Sequence, residues 1–488
     1  MNPTIDYHAL APELIMAGTI LVVLVVDLFL PRERKHAAMP LAFLGTAAAL
    51  VATLTLAGAH RVLFGGSYVV DDFAVLFTAF FLSTALVVLV LSYRYVRDGR
   101  LWQGEYYVLL LSSFLGMMTL SSSRDLLLLF VSLELVSAPA FLLSGFRKAD
   151  PRSNEASLKF FVIGVLSTAV MLYGMSLVYG VTGTTRLAGI AHALAGAAGR
   201  TALAEAAILF VVVGFAFKVS AFPFQFWAPD TYEGSPPPVA AFLSVASKAA
   251  GFAGLLQVLF VGFLPKAAVW APIFAIVSVF TMFVGNLVAL QQRQIVRLFA
   301  YSSIAQAGYL LLPFALAAHG GAVDREAFSA VVLYVLIYGV MNLGAFAVIV
   351  GVARESPGLL VQDFAGLGSR SPVAAASMTV CLVSLAGIPP MAGFWGKVFI
   401  FRAAIHAGGI GPWLAVAMIV NSVISLVYYV AVVRTMWMDE AAAGRPAAAG
   451  LPGLTTAVGG LSMLGVLAVG VFPDLFARLA PLTALVGR

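Results

Sequence analysis

Apolar residues along this chain gather into runs of about twenty, the length a helix needs to cross a bilayer. Charged residues, glycine and proline separate the runs, which recur almost from end to end. Read this way, the first half predicts spans at Ala11–Leu30, Ala37–Ala59, Phe73–Tyr93, Trp102–Leu120, Leu126–Phe146, Leu158–Tyr179 and Ala206–Trp227. The second half predicts Val239–Leu264, Ala267–Leu290, Ile295–Ala317, Ala327–Ala353, Pro372–Ile405, Trp413–Met436 and Leu454–Phe472. The pattern is an all-α polytopic membrane protein of about fourteen transmembrane helices, forming a single integral membrane domain over 1–488. Two spans carry signs of interruption. Proline has no backbone N–H and breaks a helix interior, so "FKVSAFPFQFW" predicts a broken seventh span and "AGIPPMAGFWGK" a broken twelfth. The long connector from Thr182 to Ala204 reads as a loop or a short surface helix.

Composition agrees with the bilayer as solvent. Charged residues make up 10% of the chain and hydrophobic residues 61%, whereas soluble domains average about 25% charged. The net charge of +6 is spread over many loops, which speaks against a nucleic-acid partner. One cysteine, Cys381, excludes a disulfide framework, and six histidines form no HxxxH or HExxH pair, so no metal site is legible. The opening "MNPTIDYHALAPELIMAG" has no basic n-region ahead of its apolar run, so no cleavable signal peptide is expected.

Lysine and arginine are biased between alternate loops, 15 in those after odd-numbered spans against 9 in the termini and the other loops. By the positive-inside rule both termini lie on the non-cytoplasmic side. A weak repeat also emerges. The fifth span, preceded by "SSRD", parallels the tenth, preceded by "QQRQ", and the two broken spans parallel each other. Spans four to eight and nine to thirteen then form two five-helix repeats. An odd number of spans per repeat inverts one relative to the other. The corresponding stretches are 1–100 for the N-terminal three helices, 101–265 and 266–436 for the repeats, and 437–488 for the C-terminal helix.

Four ionisable residues lie deep in spans: Glu134 in "DLLLLFVSLELVSAPAFLL", Lys218 in "ILFVVVGFAFKVSAFPFQFWAPD", Lys248 in "VAAFLSVASKAAGFAGLL" and Lys397 in "GFWGKVFIF". A charge at the bilayer centre costs about 2.5–3.5 kcal/mol on insertion scales, so such groups must face protein, water or one another. For Lys397, which follows a break, snorkelling to the interface is the other reading. Each break also has a plainer reading as a packing kink. Lys159 and Asp27, near span ends, read as interface residues. Hydroxyls nearby (Ser132, Ser137, Ser220, Ser244, Ser247, Tyr301, Ser302 and Ser303) either extend a hydrogen-bonded path or pack helices. Acids and bases spaced through a membrane interior, with no metal or nucleophile motif, predict proton movement. A lysine withdrawn from water gives up and regains a proton more readily than one in water.

The segments "LLFVSLELVSAPAFLL", "GFAFKVSAFPFQFWAPDTYEGSPPPVAAFLSVASKAAG", "RLFAYSSIAQAGYLL" and "SLAGIPPMAGFWGK" together resemble the antiporter-like subunits of respiratory complex I, the bacterial proton-pumping NADH:quinone oxidoreductase. The resemblance covers nearly the whole chain and is closest to the N type. The M type has a glutamate where Lys397 stands, and the L type a histidine near Ser244. The resemblance implies fourteen core helices and makes Glu134 and Lys218 an ion pair on helices five and seven. It makes Lys248 the central lysine of helix eight and Lys397 the terminal lysine of helix twelve. One departure is plain: Ser303 falls where the second repeat would carry a counterpart of Glu134. The implied role is a proton-translocating subunit of an enzyme complex, with no redox chemistry in this chain. FMN, iron–sulfur clusters and quinone would reside in partner subunits. Implied partners are neighbouring antiporter-like and small membrane subunits, and the implied location is the bacterial cell membrane. The alternative is a subunit of a multisubunit cation/proton antiporter. A third reading, a structural spacer, is disfavoured by four deep charges and two broken helices.

Overall fold

The computed structural model describes residues 5–99, 101, 103–317, 319–440 and 453–479. Arg100, Arg445 and Arg488, which contribute to the loop-charge bias, lie outside the described residues, as does Trp102, the expected start of the fourth span. The chain is nearly all helical, because a backbone in hydrocarbon must satisfy its own polar groups. Its helices are α1 (Ala11–Phe29), α2 (Ala38–Leu54), α3 (Asp72–Asp98), α4 (Gln103–Ser122), α5 (Leu126–Ser144), α6 (Pro151–Thr182), α7 (Leu187–Ala195), α8 (Ala202–Lys218) and α9 (Trp227–Gly234). Then come α10 (Pro237–Gly262), α11 (Leu264–Ala289), α12 (Ile295–Leu316), α13 (Gly321–Val352), α14 (Pro372–Ala386), α15 (Ala392–Ala407), α16 (Gly411–Met438) and α17 (Gly453–Val471). Among the described residues, 11 helical stretches are long and apolar enough to cross a membrane. This is a multi-pass membrane protein. The helices α4, α7, α8, α9, α14 and α15 fall outside that set.

Among the described residues the strands form one hairpin, β1 (Arg61–Leu63) against β2 (Tyr68–Val70), in antiparallel register with Arg61 opposite Val70. Asp71 follows it and caps α3, its side chain accepting from the Ala74 N–H at 2.9 Å. Such a cap satisfies one of the donors that a helix start leaves open. Asp125 and Asp150 do the same for α5 and α6. The connector from Thr182 to Ala204 is largely the short helix α7.

Two compact units divide the chain. Of the described residues, the first takes in those up to Lys218 and Ala246–Trp270, and the second Val219–Val245 and those from Ala271 onward. In the first, α6 packs along α8 and α4 along α5, with α1, α2 and α3 adjoining α4. Gly174 brings α6 against α8 so closely that a Cβ there would meet Val211 N at 2.8 Å. Small residues at such contacts let membrane helices pack through their backbones. In the second unit α13 is almost wholly buried and packs against α14, α15 and α17.

Helical geometry stops at Lys218 and resumes at Trp227; it stops again at Ala386 and resumes at Ala392. Both stops follow from proline chemistry. A proline ring collides with the carbonyl four residues earlier, so Pro223 excludes Val219 from a continuing helix, and Pro389 and Pro390 exclude helix beyond Ala386. Lys218 therefore stands at the C-terminal end of a helix.

Candidate functional site

The first unit carries Glu134, Lys218 and Lys248. Glu134 and Ser137 are three residues apart on α5 and so share one helix face. Lys218 is buried and its ammonium donates to Ser137 Oγ at 2.9 Å. Glu134 lies close enough to act electrostatically on Lys218, yet among the described residues it has no ion-pair partner. Its Oε1 is buried without a hydrogen-bond partner. The lysine therefore has two acceptors on one face of α5 and is bonded to the neutral one. As the last residue of α8 it also meets the negative end of the helix dipole, which favours a cation. Lys248 is 2% exposed and follows a π-helical turn, Leu243–Ser247, inside α10. Such turns occur mostly as single interruptions of α-helices, often at functional sites.

Lys397, in the second unit, is buried and turned inward rather than snorkelling. Its ammonium donates to the carbonyls of Leu385 at 3.2 Å and Ala386 at 2.8 Å, and to Ser422 Oγ at 3.0 Å. The two carbonyls are explained by the break. In an unbroken helix their donors would be the N–H groups of residues 389 and 390, and both are prolines. Lys397 supplies what the prolines lack. Its ammonium also sits over the Tyr309 ring, 4.6 Å from the centroid. Beside it a cavity of about 410 Å³ is walled by apolar side chains such as Ile388, Phe401, Ile419 and Val423, with Ser422 and the lysine as its polar members.

The second unit holds several neutral hydrogen-bonded groups, one of which reaches Lys397 through the Leu385 carbonyl. The Leu385 carbonyl also accepts from Gln306 Nε2 at 3.1 Å, and Gln306 Oε1 accepts from the Tyr334 hydroxyl. Asn286 Nδ2 donates to Tyr309 Oη at 3.3 Å and to Asn421 Oδ1 at 3.0 Å, while Tyr428 donates to Asn286 Oδ1 at 2.9 Å. Tyr338 donates to Ser303 Oγ at 3.0 Å, and Asn342 to Tyr338 at 2.8 Å. Ser303 thus takes part in a neutral cluster at the position where an acid was sought.

The sequence reading missed Gln306, Tyr309, Tyr334, Tyr338, Asn286 and Asn421, because tyrosines and amides in apolar spans carry no charge to mark them. The proline pair was the available signal for the Lys397 contacts. Of the hydroxyls singled out in advance, Ser137, Ser302 and Ser303 join side-chain networks. Ser244 bonds to the Ala241 carbonyl of its own helix at 2.9 Å, and Ser132 Oγ accepts from Thr119 at 2.9 Å. Ser220 Oγ is buried without a hydrogen-bond partner among the described residues. Asp27 pairs with Lys35 at 2.7 Å in a half-buried contact, and Lys159 with Glu155 at 2.8 Å at the surface. Among the described residues no group of three or more His, Cys, Asp or Glu is placed to hold a metal ion.

The known proteins that the chain is similar to agree with one another. Residues 123–425 match the family described as NADH:quinone oxidoreductase/Mrp antiporter, TM. A NADH-quinone oxidoreductase subunit N 2 of Symbiobacterium thermophilum is 42% identical, the match covering 98% of this chain and 96% of that protein. A NADH-quinone oxidoreductase subunit N of Trichlorobacter lovleyi is also 42% identical, covering 89% and 88%. Among solved structures, a chain of respiratory complex I from Thermus thermophilus with bound aureothin is 32% identical with a TM-score of 0.78, covering 96% of this chain and 98% of that one. A chain of an Mrp complex from a Dietzia species shares the fold, with a TM-score of 0.85 at 21% identity over 98% and 97%. The family match takes in Glu134, Lys218, Lys248 and Lys397 together, and the relatives extend the likeness over almost the full length: the chain belongs to the NADH:quinone oxidoreductase/Mrp antiporter transmembrane family.

Proposed function

We propose that the chain is the N-type membrane-arm subunit of a proton-translocating NADH:quinone oxidoreductase, and that it moves protons through Glu134, Lys218, Lys248 and Lys397. The observation that carries the proposal is the lysine with two acceptors. Lys218 is held by Ser137 at 2.9 Å, one helical turn from a carboxylate oxygen that has no partner. Exchange of Lys218 between Ser137 and Glu134 changes how strongly it holds its proton. Each unit contributes protonatable groups: three in the first, and Lys397 with its neutral network in the second.

The reading carries further elements. The chain has fourteen spans in two inverted five-helix repeats, α8 and the α14–α15 pair being interrupted spans. Both termini lie on the non-cytoplasmic side of a bacterial membrane. The chain holds no redox cofactor; FMN, iron–sulfur clusters and quinone belong to partner subunits, and other membrane-arm subunits flank it. The alternative, a subunit of a cation/proton antiporter complex, draws on the fold shared with the Mrp chain.

Purification in mild detergent separates the two: flavin and iron–sulfur subunits co-purify with an oxidoreductase subunit, and their absence beside other antiporter subunits would favour the alternative. The switch itself is tested in the assembled complex by Glu134→Gln, Lys218→Ala and the double variant. Each single change is expected to impair proton-coupled turnover. Residues in contact show interaction energies of about 0.5–3 kcal/mol, so the double variant should lose much less than the sum. Strictly additive losses would mean that the two residues act independently.

A further inference from the structure

The first unit holds another acid with a buried carboxylate oxygen. Glu13 lies in the first turn of α1, and its Oε2 is buried without a hydrogen-bond partner among the described residues. Above it, β2 of the hairpin places Tyr68, 4% exposed, whose hydroxyl is likewise buried and unpartnered. The Glu13 carboxyl faces the Tyr68 hydroxyl, and Tyr68 faces Ser122 at the end of α4. The hairpin is fixed in place, since Tyr68 bridges to Ser123 and the Arg124 N–H donates to the Ser67 carbonyl at 2.8 Å. Other ionisable groups at this end are already engaged. Asp6 pairs with Arg61 at 3.8 Å, His8 meets Thr55 at 3.0 Å, and Asp71 holds Arg124 at 2.7 Å. Tyr68 is thus the titratable group that faces Glu13.

Two influences oppose each other on Glu13. The peptide dipoles at the start of α1 favour a negative charge. The neutral acid, for its part, has a proton to offer the phenol. Burial, and then the neighbouring Glu13 carboxylate, push the Tyr68 hydroxyl far above the usual tyrosine range. Tyr68 therefore stays protonated and passes a proton by hydrogen bonding, not by ionising.

We propose that Glu13 is a proton-exchange site beneath the hairpin, with Tyr68 and Ser122 as its hydroxyl neighbours. Its use in transport rests on the proton-translocating role proposed above; its protonation does not, and can be read separately. In the assembled complex in lipid, infrared difference spectra between mildly acidic and mildly alkaline buffer should contain a carboxylic-acid C=O band that shifts in heavy water. Glu13→Gln, nearly isosteric, should remove that band, and Tyr68→Phe, which deletes only the hydroxyl, should shift its frequency. Tyr68→Phe alone tests the site if Glu13→Gln impairs assembly. A Glu13→Gln spectrum identical to the parent's, or a band unmoved by Tyr68→Phe, would overturn the proposal. So would changes that follow added sodium at fixed pH, which would make the three oxygens a cation site.

Discussion

Lys397 separates two roles that a buried lysine can have. Three acceptors use all three donors of its ammonium, so release of its proton leaves a carbonyl or a hydroxyl unpaired. A buried polar group without a partner costs about 1–3 kcal/mol. Proton release is therefore tied to a rearrangement at the break, where the two carbonyls reside. Arginine would keep the charge and the donors but cannot be deprotonated. Glutamic acid can exchange a proton, yet reaches the carbonyls only while neutral. If proton exchange is the role of this site, Lys397→Glu should retain more pumping than Lys397→Arg, Lys397→Ala or Lys397→Met, while Lys397→Arg keeps more thermal stability than Lys397→Glu. Proton flux and melting temperature of assembled complexes measure the two rankings. Pumping retained by Lys397→Arg and lost in Lys397→Glu would assign the lysine to capping the helix end. The four deep charges were legible in the sequence because an uncompensated charge in lipid is costly. The neutral partners were not, since Tyr, Asn and Gln in a span serve packing equally well.

At the scale of elements, the breaks position the chemistry. The sequence marked both interruptions through their prolines, in the stretches 217–227 and 386–397. The steric effect of a proline acts four residues upstream, so α8 ends at Lys218 and not near Pro223. The hairpin escaped notice altogether, as two three-residue strands leave little periodicity to read. Gly387 shows how tightly the second break is built. It ends α14 at φ +90°, and a Cβ there would meet Lys397 Cδ at 2.9 Å and Nζ at 3.1 Å. Gly183 ends α6 at φ +70° with nothing within 4 Å of such a Cβ. Alanine at either site adds the left-handed penalty of about 1–2 kcal/mol. Only Gly387→Ala also displaces the ammonium from its carbonyls. Both variants should melt somewhat earlier than the parent, and Gly387→Ala alone should lose proton pumping. Equal pumping in the two would detach transport from the geometry of the break.

For the whole molecule, the inverted-repeat plan depends on how many times the chain crosses the bilayer, and the interrupted helices decide that number. At 1.5 Å per residue, the 15 residues of α14 and the 16 of α15 extend about 22 and 24 Å, short of a hydrocarbon core of about 30 Å. Neither crosses alone. Taken end to end they cross once, whereas folded back at Gly387–Met391 they would enter and leave on the same side. The ion pairs favour a single crossing: Arg370, before the pair, meets Glu355 just past the end of α13, whereas Arg402 and His406, near the far end of the pair, meet Glu326 at the start of α13. A thiol scan resolves the matter. In a Cys381→Ala background, single cysteines at Leu360, before the pair, and Ile410, after it, offer exposed side chains, and His319 reports the loop before α13. If the pair crosses once, a membrane-impermeant reagent labels Ile410→Cys and His319→Cys from the non-cytoplasmic side and Leu360→Cys only from the cytoplasmic side. Labelling of Leu360→Cys and Ile410→Cys from one side would make α14–α15 re-entrant. The second repeat would then hold an even number of crossings, and the two repeats would no longer be inverted with respect to each other.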